Sequence, residues 1–337
     1  HSIPDCVGFG INTPHGYIVH TGDYKFDNSP VDGKKPDYGR LAAFGQRGVL
    51  LLMADSTNAD KPGWTPSESV IDSAFDRVFA KAKGRIMVAT FASLISRIQQ
   101  VVWAAKKHDR KIAIAGYSMT ENIKMARKLG YLDIPDKMLV DIKDIASIQP
   151  HKLVLMVTGT QGEPSAVLGR LAMRQHRFLD IMEDDTIVLS SHPIPGNEEM
   201  VYRTINQLIQ RGANVIYDPV ESVHVSGHAY QEEMKLTMSL TKPRFFMPVH
   251  GELRHLVEHK NLGVASGIPE NNIVAVENGT IIELDRHSIR AKGRVPGDYV
   301  FVDGSTVGDV GRVVIRDREI LARDGFMVIS VNVQSKS

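Results

Sequence analysis

The sequence predicts an α/β protein in which a Rossmann-like unit interrupts a second α/β domain. Between about residues 68 and 231, apolar runs alternate with segments of helical spacing, a pattern typical of βαβ units and a parallel sheet. Outside this region, the apolar runs at 48–55 and 245–249 stop abruptly in polar residues. Such runs suit strands buried on both faces, so we expect the two flanking parts to form one domain around the insert.

The individual elements follow in chain order. Residues 1–27 alternate apolar and polar positions around a Pro14-His15-Gly16 turn, which predicts a hairpin. Five apolar runs predict the strands of the insert: GRIMVATF, RKIAIAG, KLVLMVTG, DTIVLSS and ANVIYD. A helix and another buried strand follow, and the Asn278-Gly279 pair indicates a late hairpin.

These elements predict the domain boundaries. The outer domain takes residues 1–67 and 232–316, and the insert takes residues 68–231. Residues 317–337 are predicted to be a last strand and the start of a polar linker. Because the chain opens on His1 rather than Met, we expect it to be a piece of a longer protein.

Composition excludes several classes of protein. The 337 residues include 40 Lys+Arg and 39 Asp+Glu, with 42% hydrophobic residues, which is typical of a globular protein rather than a disordered or fibrous one. No run reaches the ~18 apolar residues of a membrane helix, so we expect no membrane association. Cys6 is the only cysteine, which excludes an intramolecular disulfide and a cysteine metal cage and favours a reducing, cytoplasmic setting.

The segment 76–130 is strongly basic although the whole chain is nearly neutral. It contains twelve Lys/Arg against three acidic residues, a surplus of nine positive charges. A polyanion such as RNA would be attracted by that field. The solvent-exposed faces of ordinary helices would have the same composition. Attraction of RNA and a purely structural role therefore both stay open.

Five residues that could carry chemistry follow apolar runs. They are His1, Asp23, Asp55, His228 and His250. In α/β sheets, ligands and metals collect at the ends of strands. Imidazole and carboxylate together suit zinc or manganese, and a carboxylate can bridge two such ions. Taken singly, each residue has a structural alternative, a turn-capping carboxylate or a hydrogen-bonded histidine.

Three further motifs have competing explanations. His255-Leu-Val-Glu-His259 matches a metallopeptidase pattern, but its charged flanks predict an exposed helix. GTQGEP at 159–164 follows a strand but lacks the Lys-Ser/Thr of a phosphate loop, although its backbone could approach a phosphate. In His224-Val-Ser-Gly-His228, small residues would let a phosphodiester approach His228, which could protonate a leaving oxygen; a turn with a capping Ser226 is the alternative.

Considered together, eight blocks of sequence resemble the bacterial ribonuclease J family in order and spacing. That family belongs to the β-CASP branch of the metallo-β-lactamase superfamily. The blocks are HSIPD (1–5), HTGDYKFD (20–27), LLMADSTN (51–58), TFASLISRIQQ (90–100), TGTQGEP (158–164), SSHPIPGNE (190–198), HVSGHAYQEE (224–233) and FFMPVHGE (245–252).

The resemblance implies roles for particular residues. His1, Asp23 and His250 match metal ligands, and Asp55 and His228 match catalytic residues that support the metals and the scissile phosphate. The stretch His224, Val225, Ser226, Gly227 and His228 matches the loop that grips substrate phosphate, and Asp303 falls where the family can hold a structural cation such as calcium. The implied cofactors are two zinc ions, with manganese as an alternative.

The resemblance also implies a fold and a function. The fold is an incomplete metallo-β-lactamase αββα sandwich with an inserted β-CASP domain. The function is metal-dependent hydrolysis of RNA, both endonucleolytic and 5′-to-3′ exonucleolytic from a 5′ monophosphate, in RNA maturation and decay. RNA is the implied partner. Homodimers or tetramers, hetero-oligomers with a paralogue and an RNA-decay complex are the implied assemblies.

One feature of the family is missing from the sequence. The family carries an H-x-H-x-D-H motif ahead of the region where this chain begins, and no H-x-H occurs here. We therefore expect a fragment that lacks part of the metal site and the C-terminal domain, and that is inactive alone. Two other classes remain open: a non-catalytic RNA-binding or assembly subunit, and a hydrolase of a small ester or thioester.

Overall fold

The computed structural model describes residues 1–297, 300, 302–303, 306–307, 311–325 and 327–330. The chain divides into two compact units. The first comprises His1–Ala275 with Leu284–Ile289, and the second comprises Val276–Glu283 with Arg290–Ser337. Each unit is described by itself.

The first unit contains two sheets and the helices that cover them. Its strands are β1 (Phe9–Thr13), β2 (Gly16–His20), β3 (Val49–Asp55), β4 (Ile86–Ala89), β5 (Lys111–Ala115), β6 (Leu139–Val140), β7 (Leu153–Val157), β8 (Thr186–Leu189), β9 (Asn214–Ile216) and β10 (Phe245–Val249). Its α-helices are α1 (Tyr38–Arg47), α2 (Val70–Lys81), α3 (Ile95–Lys107), α4 (Tyr117–Lys128), α5 (Val167–Ala172), α6 (Glu198–Gln210), α7 (Gln231–Thr241) and α8 (Leu253–Ala265).

The inserted region forms a six-stranded parallel sheet, as predicted. Its order is β6-β5-β7-β4-β8-β9, and every pair of neighbours is parallel. Ile86 and Val88 of β4 pack in a core with α2, α3 and α4, whereas Met87 and Ala89 pack in a core with α5 and α6. The central strand is therefore buried on both faces, which is why its sequence is continuously apolar.

The flanking parts of the chain meet in a four-stranded sheet of order β1-β2-β3-β10. The predicted hairpin is β1 and β2, which are antiparallel and joined by the Pro14-His15 turn. Strands β2, β3 and β10 are parallel to one another. Leu52 of β3 and Phe246 of β10 pack against Met234 and Met238 of α7. The insert thus interrupts one domain, and this confirms the predicted arrangement.

The described residues after Ala275 form short strands and a helix. They are β11 (Thr280–Leu284), β12 (Ile289–Arg294), β13 (Val302–Asp303), β14 (Thr306–Val307) and α9 (Arg312–Asp324). Strands β11 and β12 form a two-stranded sheet. The predicted position of the hairpin is wrong: the Asn278-Gly279 pair lies just before β11, and the chain reverses between β11 and β12, where the Asp285 carboxylate accepts from the backbone N–H groups of His287 and Ser288.

The prediction of a strand after residue 316 is wrong for residues 317–324, which belong to α9. The run DREILARD is rich in Arg, Glu, Leu and Ala, which favour a helix over a strand. Residues 328–330 are irregular, and 331–337 lie outside the described residues. In the part of the chain that the structure describes, no helix has both the length and the apolar character needed to cross a membrane.

Candidate metal centre and its supporting loops

Three candidate residues meet because three neighbouring strands end at the same edge of a sheet. Asp55 is the last residue of β3, and the parallel register pairs it with Val249, the last residue of β10. His250 follows immediately, and Asp23 lies three residues after the end of β2. Since β2, β3 and β10 are parallel, their carboxyl ends present these side chains together.

The loop that returns from the insert places His228 at this edge. The first residue of the chain, His1, lies there too. One ligand atom from each of His1, Asp23 and His228 lies within 4.8 Å of the others. Asp55, His228 and His250 form a second group by the same measure. The structure therefore brings together all five residues that the sequence placed at strand ends.

Asp55 is buried and both of its carboxylate oxygens are used. Oδ2 accepts a hydrogen bond from His228 Nδ1 at 2.6 Å. Oδ1 accepts from the Thr57 backbone N–H at 2.9 Å and from the Thr57 hydroxyl at 2.6 Å. Burial raises the pKa of Asp55, but the hydrogen bonds from His228 and Thr57 outweigh it and hold the pKa below its ordinary value. Asp55 thus acts as a charged anchor for its neighbours.

The orientation of the His250 ring follows from the same hydrogen bonds. The Thr57 hydroxyl gives its only proton to Asp55, so at 2.9 Å it must accept from His250 Nδ1. This contact turns His250 Nε2 towards Asp23 Oδ1, which lies 3.3 Å away. An imidazole nitrogen and a carboxylate oxygen at this separation are spaced as two ligands of one cation.

The surroundings of His1 are compatible with the ligand role that the resemblance implies. Its Nδ1 atom is buried and has no hydrogen-bond partner among the described residues. Its ring packs edge-on against His228, with centroids 4.9 Å apart. A Cβ atom at Gly227 would lie 2.8 Å from His1 Cε1, so only glycine leaves room for the imidazole. Imidazole nitrogens with a carboxylate form a donor set that fits zinc or manganese, so the residues present fit the implied metal.

The loop 224–228 divides its side chains between the site and the core. Asn58 Nδ2 donates to the Ser226 hydroxyl at 2.8 Å and to the His228 carbonyl at 3.1 Å, which fixes the loop beside β3. Val225 is 6% exposed and packs in the core of the insert, so only its backbone can face a substrate. This corrects any role for the Val225 side chain in substrate binding, because the alternating loop turns it inwards.

His224 lies on the inner side of the loop. Its ring packs edge-on against His192 at 4.6 Å, and its Nδ1 atom is buried without a partner in the described part of the chain. Burial, reinforced by the positive charge of Arg97, holds the pKa of His224 well below its ordinary value. His224 is therefore neutral at pH 7 and supports the loop from behind.

Asp303 lies in β13 of the second unit, and its side chain is outside the described residues. The structural-cation site stays a prediction.

The H-x-x-E-H motif proves to be structural, but not on an exposed face. His255 and His259 are 5% and 0% exposed on the inner side of α8. His255 Nδ1 accepts from the Glu252 backbone N–H at 3.2 Å and so caps the helix start. His259 Nδ1 lies 2.9 Å from the Ser56 hydroxyl, next to Asp55. The expectation of an exposed helix was wrong for these histidines because charged neighbours occupy only the outer face.

We expect His259 to make the protein sensitive to acid. Burial lowers the pKa of His259 from 6.5 to about 3. Below about pH 6.5 the His259 ring is protonated in the unfolded chain. In the folded chain the same ring stays neutral down to about pH 3. The free energy of unfolding should therefore fall as the pH drops through this window, by up to about 1.4 kcal/mol per pH unit. His259→Asn should flatten that fall in urea titrations between pH 7 and pH 4. The exposed His287→Asn is the control, and equal slopes for both variants would contradict the expectation.

The GTQGEP loop is fastened to the loop after β8. The Gln161 side-chain amide donates to the His192 carbonyl at 3.0 Å, and its oxygen accepts from the Ile194 backbone N–H at 2.7 Å. A Cβ atom at Gly162 would lie 2.5 Å from the Met200 carbonyl carbon, so the loop packs tightly against α6. Both loops follow carboxyl ends of strands of the inserted sheet, β7 and β8.

The basic segment 76–130 is largely structural or distant from this edge. Arg85, Arg97 and Arg110 are buried and make hydrogen bonds inside the insert. Most of the exposed lysines lie at helix ends or just before strands: Lys81, Lys83, Lys106, Lys107, Lys111 and Lys128. In a parallel sheet these positions lie at the edge opposite to the carboxyl ends of the strands, so these six lysines do not line the candidate site. Lys124 is the exception and lies in the middle of α4.

Sequence reasoning missed several residues that support the site. Thr57 and Asn58 lie two and three residues after Asp55, and this proximity was the available signal. Glu233 is fully buried and accepts from the backbone N–H groups of Phe26, Thr65 and Tyr230 at 2.7–2.9 Å. Its only signal was its position three residues after Tyr230 at the start of α7, where a carboxylate can cap a helix.

Comparison with known proteins gives matches over nearly the whole chain. Residues 83–208 match the family model described as the ribonuclease J beta-CASP domain, and residues 212–275 match the Zn-dependent metallo-hydrolase RNA specificity domain. Ribonuclease J of Thermus thermophilus is 47% identical over 330 residues, covering 98% of this chain and 57% of that protein. Ribonuclease J of a Synechocystis species is 44% identical over 98% of this chain and 51% of that protein.

A third relative, ribonuclease J2 of Bacillus subtilis, is 39% identical over 336 residues, covering 100% of this chain and 60% of that protein. The chain thus spans about half the length of the curated relatives it matches.

Proposed function

We propose, because this chain belongs to the ribonuclease J family, that the full-length protein is a metal-dependent ribonuclease. Its fold is of the metallo-β-lactamase type with an inserted β-CASP domain. The proposed reaction is hydrolysis of RNA phosphodiester bonds, 5′-to-3′ from 5′-monophosphorylated ends and also endonucleolytically. The observation that carries the proposal is the meeting of His1, Asp23 and His250 beside His228 and Asp55.

His1, Asp23 and His250 would hold the divalent cations. Bound there, such cations would activate water and offset the negative charge that builds on a phosphate in the transition state. Within the protein, Thr57 keeps the His250 ring turned so that Nε2 faces Asp23, and Gly227 leaves room for His1. These contacts reduce the reorganisation needed when cations bind.

His228 would act as a general acid. Its Nδ1–H is held by Asp55 at 2.6 Å, so Nε2 is the nitrogen left to exchange a proton with substrate. The Asp55 carboxylate stabilises the protonated ring, which can then give its Nε2 proton to the leaving oxygen. The Ser226 hydroxyl accepts a hydrogen bond from the His228 backbone N–H at 3.1 Å and so fixes the backbone that carries the ring, while the space beside Gly227 is taken by His1. The loops at 159–162 and 190–197 would contribute further backbone contacts to phosphates.

The remaining properties are proposed from the same premise. Zinc is the proposed cation, with manganese as the alternative and a structural calcium ion near Asp303. The protein would work on RNA in the cytoplasm, as a homo-oligomer or with a paralogue, and within an RNA-decay complex. The competing function is a non-catalytic RNA-binding subunit, which would not need a hydrogen-bonded His228–Asp55 pair.

The test is hydrolysis of 5′-monophosphorylated RNA by the full-length protein supplied with zinc or manganese. We expect Asp55→Asn to lower kcat by about 10²–10⁴-fold, because His228 loses the carboxylate that orients it and stabilises its charge. His228→Gln should lower kcat to a similar extent.

Asp60→Asn provides the control, since Asp60 lies five residues away and its carboxylate contacts Arg254 at the surface. It should retain wild-type kcat. No hydrolysis by the wild-type protein with either metal would remove the proposal in favour of the binding subunit. Full activity of Asp55→Asn would remove the role given to the His228–Asp55 pair.

A further inference from the structure

A cluster of four buried charged side chains lies behind the candidate site and has no part in the chemistry proposed above. It consists of Lys25, Asp27, Glu68 and Arg97, whose side chains are 0–8% exposed. Lys25 Nζ lies 3.5 Å from Glu68 Oε1, and Arg97 Nη2 lies 2.5 Å from Glu68 Oε2. Two positive and two negative charges balance, which lets the group remain buried.

Arg97, in the first turn of α3, holds this helix to the segment that leads into the loop 224–228. Its Nη1 atom donates to the Val223 carbonyl at 2.8 Å and to the Ser190 hydroxyl. Its Nε atom donates to Gln100 Oε1 at 2.9 Å. The guanidinium is 0% exposed, and its planar fork reaches these acceptors and Glu68 at once.

The same turn of α3 holds the opposite side of the site. The Ser96 hydroxyl donates to the Ser2 carbonyl at 3.0 Å. The Ser2 hydroxyl in turn donates to Glu68 Oε1 at 2.5 Å. Ser2 directly follows His1, so this pair of hydrogen bonds fixes the backbone that carries a candidate metal ligand.

Lys25 closes the connection from the sheet of β1, β2, β3 and β10. Its Nζ atom donates to the Ser226 carbonyl at 3.2 Å and to the Pro66 carbonyl at 3.0 Å. Ser226 lies between His224 and His228 in the loop. The buried charges therefore touch both segments that bound the site, 1–2 and 223–226.

We propose that Arg97 and Ser96, acting through Glu68, are positioning residues by which the inserted domain sets the placement of His1 relative to the loop 224–228. They touch neither substrate nor metal in the proposed site. Because one helical turn bonds to both segments, it fixes the position of each segment relative to the other. The catalytic meaning of this placement rests on the proposed function, but the placement itself does not.

The first measurement is amide hydrogen exchange in the metal-free, full-length protein. Arg97→Lys keeps the charge but removes the planar fork, so it cannot bond Val223, Ser190 and Glu68 together. We expect exchange in residues 1–5 and 223–228 to accelerate by at least about tenfold as these contacts open. Cobalt affinity, followed by the visible absorption of the bound ion, should weaken by about 10–100-fold.

Arg85→Lys is the matched control. Arg85 is also buried in the insert and pairs with a buried carboxylate, Asp185, at 2.5 Å, but it contacts neither segment of the site. This variant should accelerate exchange near residues 180–186 and leave 1–5, 223–228 and cobalt affinity at wild-type values.

Ser96→Ala is a second variant, and it leaves the buried charged side chains unchanged. It should accelerate exchange in residues 1–5 and leave 223–228 unchanged, because it removes only the bond to Ser2. Wild-type exchange in both segments of Arg97→Lys, or equal changes in the Arg97 and Arg85 variants, would overturn the proposal. Since exchange is read without metal or RNA, these outcomes are independent of whether the wild-type protein cleaves RNA.

Discussion

Asp23→Asn in the full-length protein should, on the function proposed above, remove about one of the two proposed metal ions and lower kcat/KM for RNA by about 10³-fold or more. The carboxylate oxygen of Asp23 lies 3.3 Å from His250 Nε2, so the two side chains are close enough to bind one cation. The amide of Asn has the same shape but lacks the negative charge, so it binds a cation far more weakly. Metal analysis of the purified protein and steady-state kinetics on 5′-monophosphorylated RNA would measure the two effects.

Asp32→Asn is the control for that experiment. Asp32 lies in an exposed loop, where its carboxylate accepts a hydrogen bond from the Lys34 backbone N–H at 3.0 Å. Its replacement should change neither metal content nor kcat/KM. A wild-type metal content in Asp23→Asn would exclude Asp23 as a ligand, whatever happens to the activity.

Glu233→Ala should lower the free energy of unfolding by about 3–5 kcal/mol. The Glu233 carboxylate is fully buried and accepts hydrogen bonds from the backbone N–H groups of Phe26, Thr65 and Tyr230, and from the Thr65 hydroxyl. Alanine would leave those donors buried without partners. Urea denaturation of the wild-type and variant proteins would measure the loss.

The neighbouring Glu232→Ala is a matched control, because its side chain is 43% exposed and pairs only with Lys235 at the surface. It should cost no more than about 1 kcal/mol. Equal losses for the two variants would contradict the role given to the buried carboxylate.

The predictable part of this protein is the part controlled by local pattern. The apolar runs at 48–55 and 245–249 indicated buried strands, and the polar residues that end them indicated the site. Resemblance to a family supplied the roles of the individual side chains, which spacing left open. The helix over Arg312–Asp324 was not predicted, because the apolar run VISVNV after it indicated a strand although DREILARD favours a helix.

Other interpretations failed because they depend on which surfaces meet. Charged flanks predicted that His259 would be exposed, but α8 turns that face towards Phe246 and Ser56. The positive charge of segment 76–130 suggested an attraction for RNA, yet the parallel sheet places most of its exposed lysines at the edge opposite to the site. The composition of a segment gives its net charge, but only the tertiary structure determines where on the surface that charge lies.

The sequence by itself determined most of the strands, which of them are buried on both faces, and which polar residues lie at their ends. Hydrophobic periodicity and the residue types at the end of an apolar run are local properties of the chain. Only the tertiary structure decided that Asp55 anchors His228, that Glu233 accepts from the Phe26 backbone, and that Arg97 ties α3 to Val223. These three pairs lie 173, 207 and 126 residues apart along the chain. Their pairing follows from the packing of two sheets and from the need to satisfy every buried charge, which no local pattern encodes.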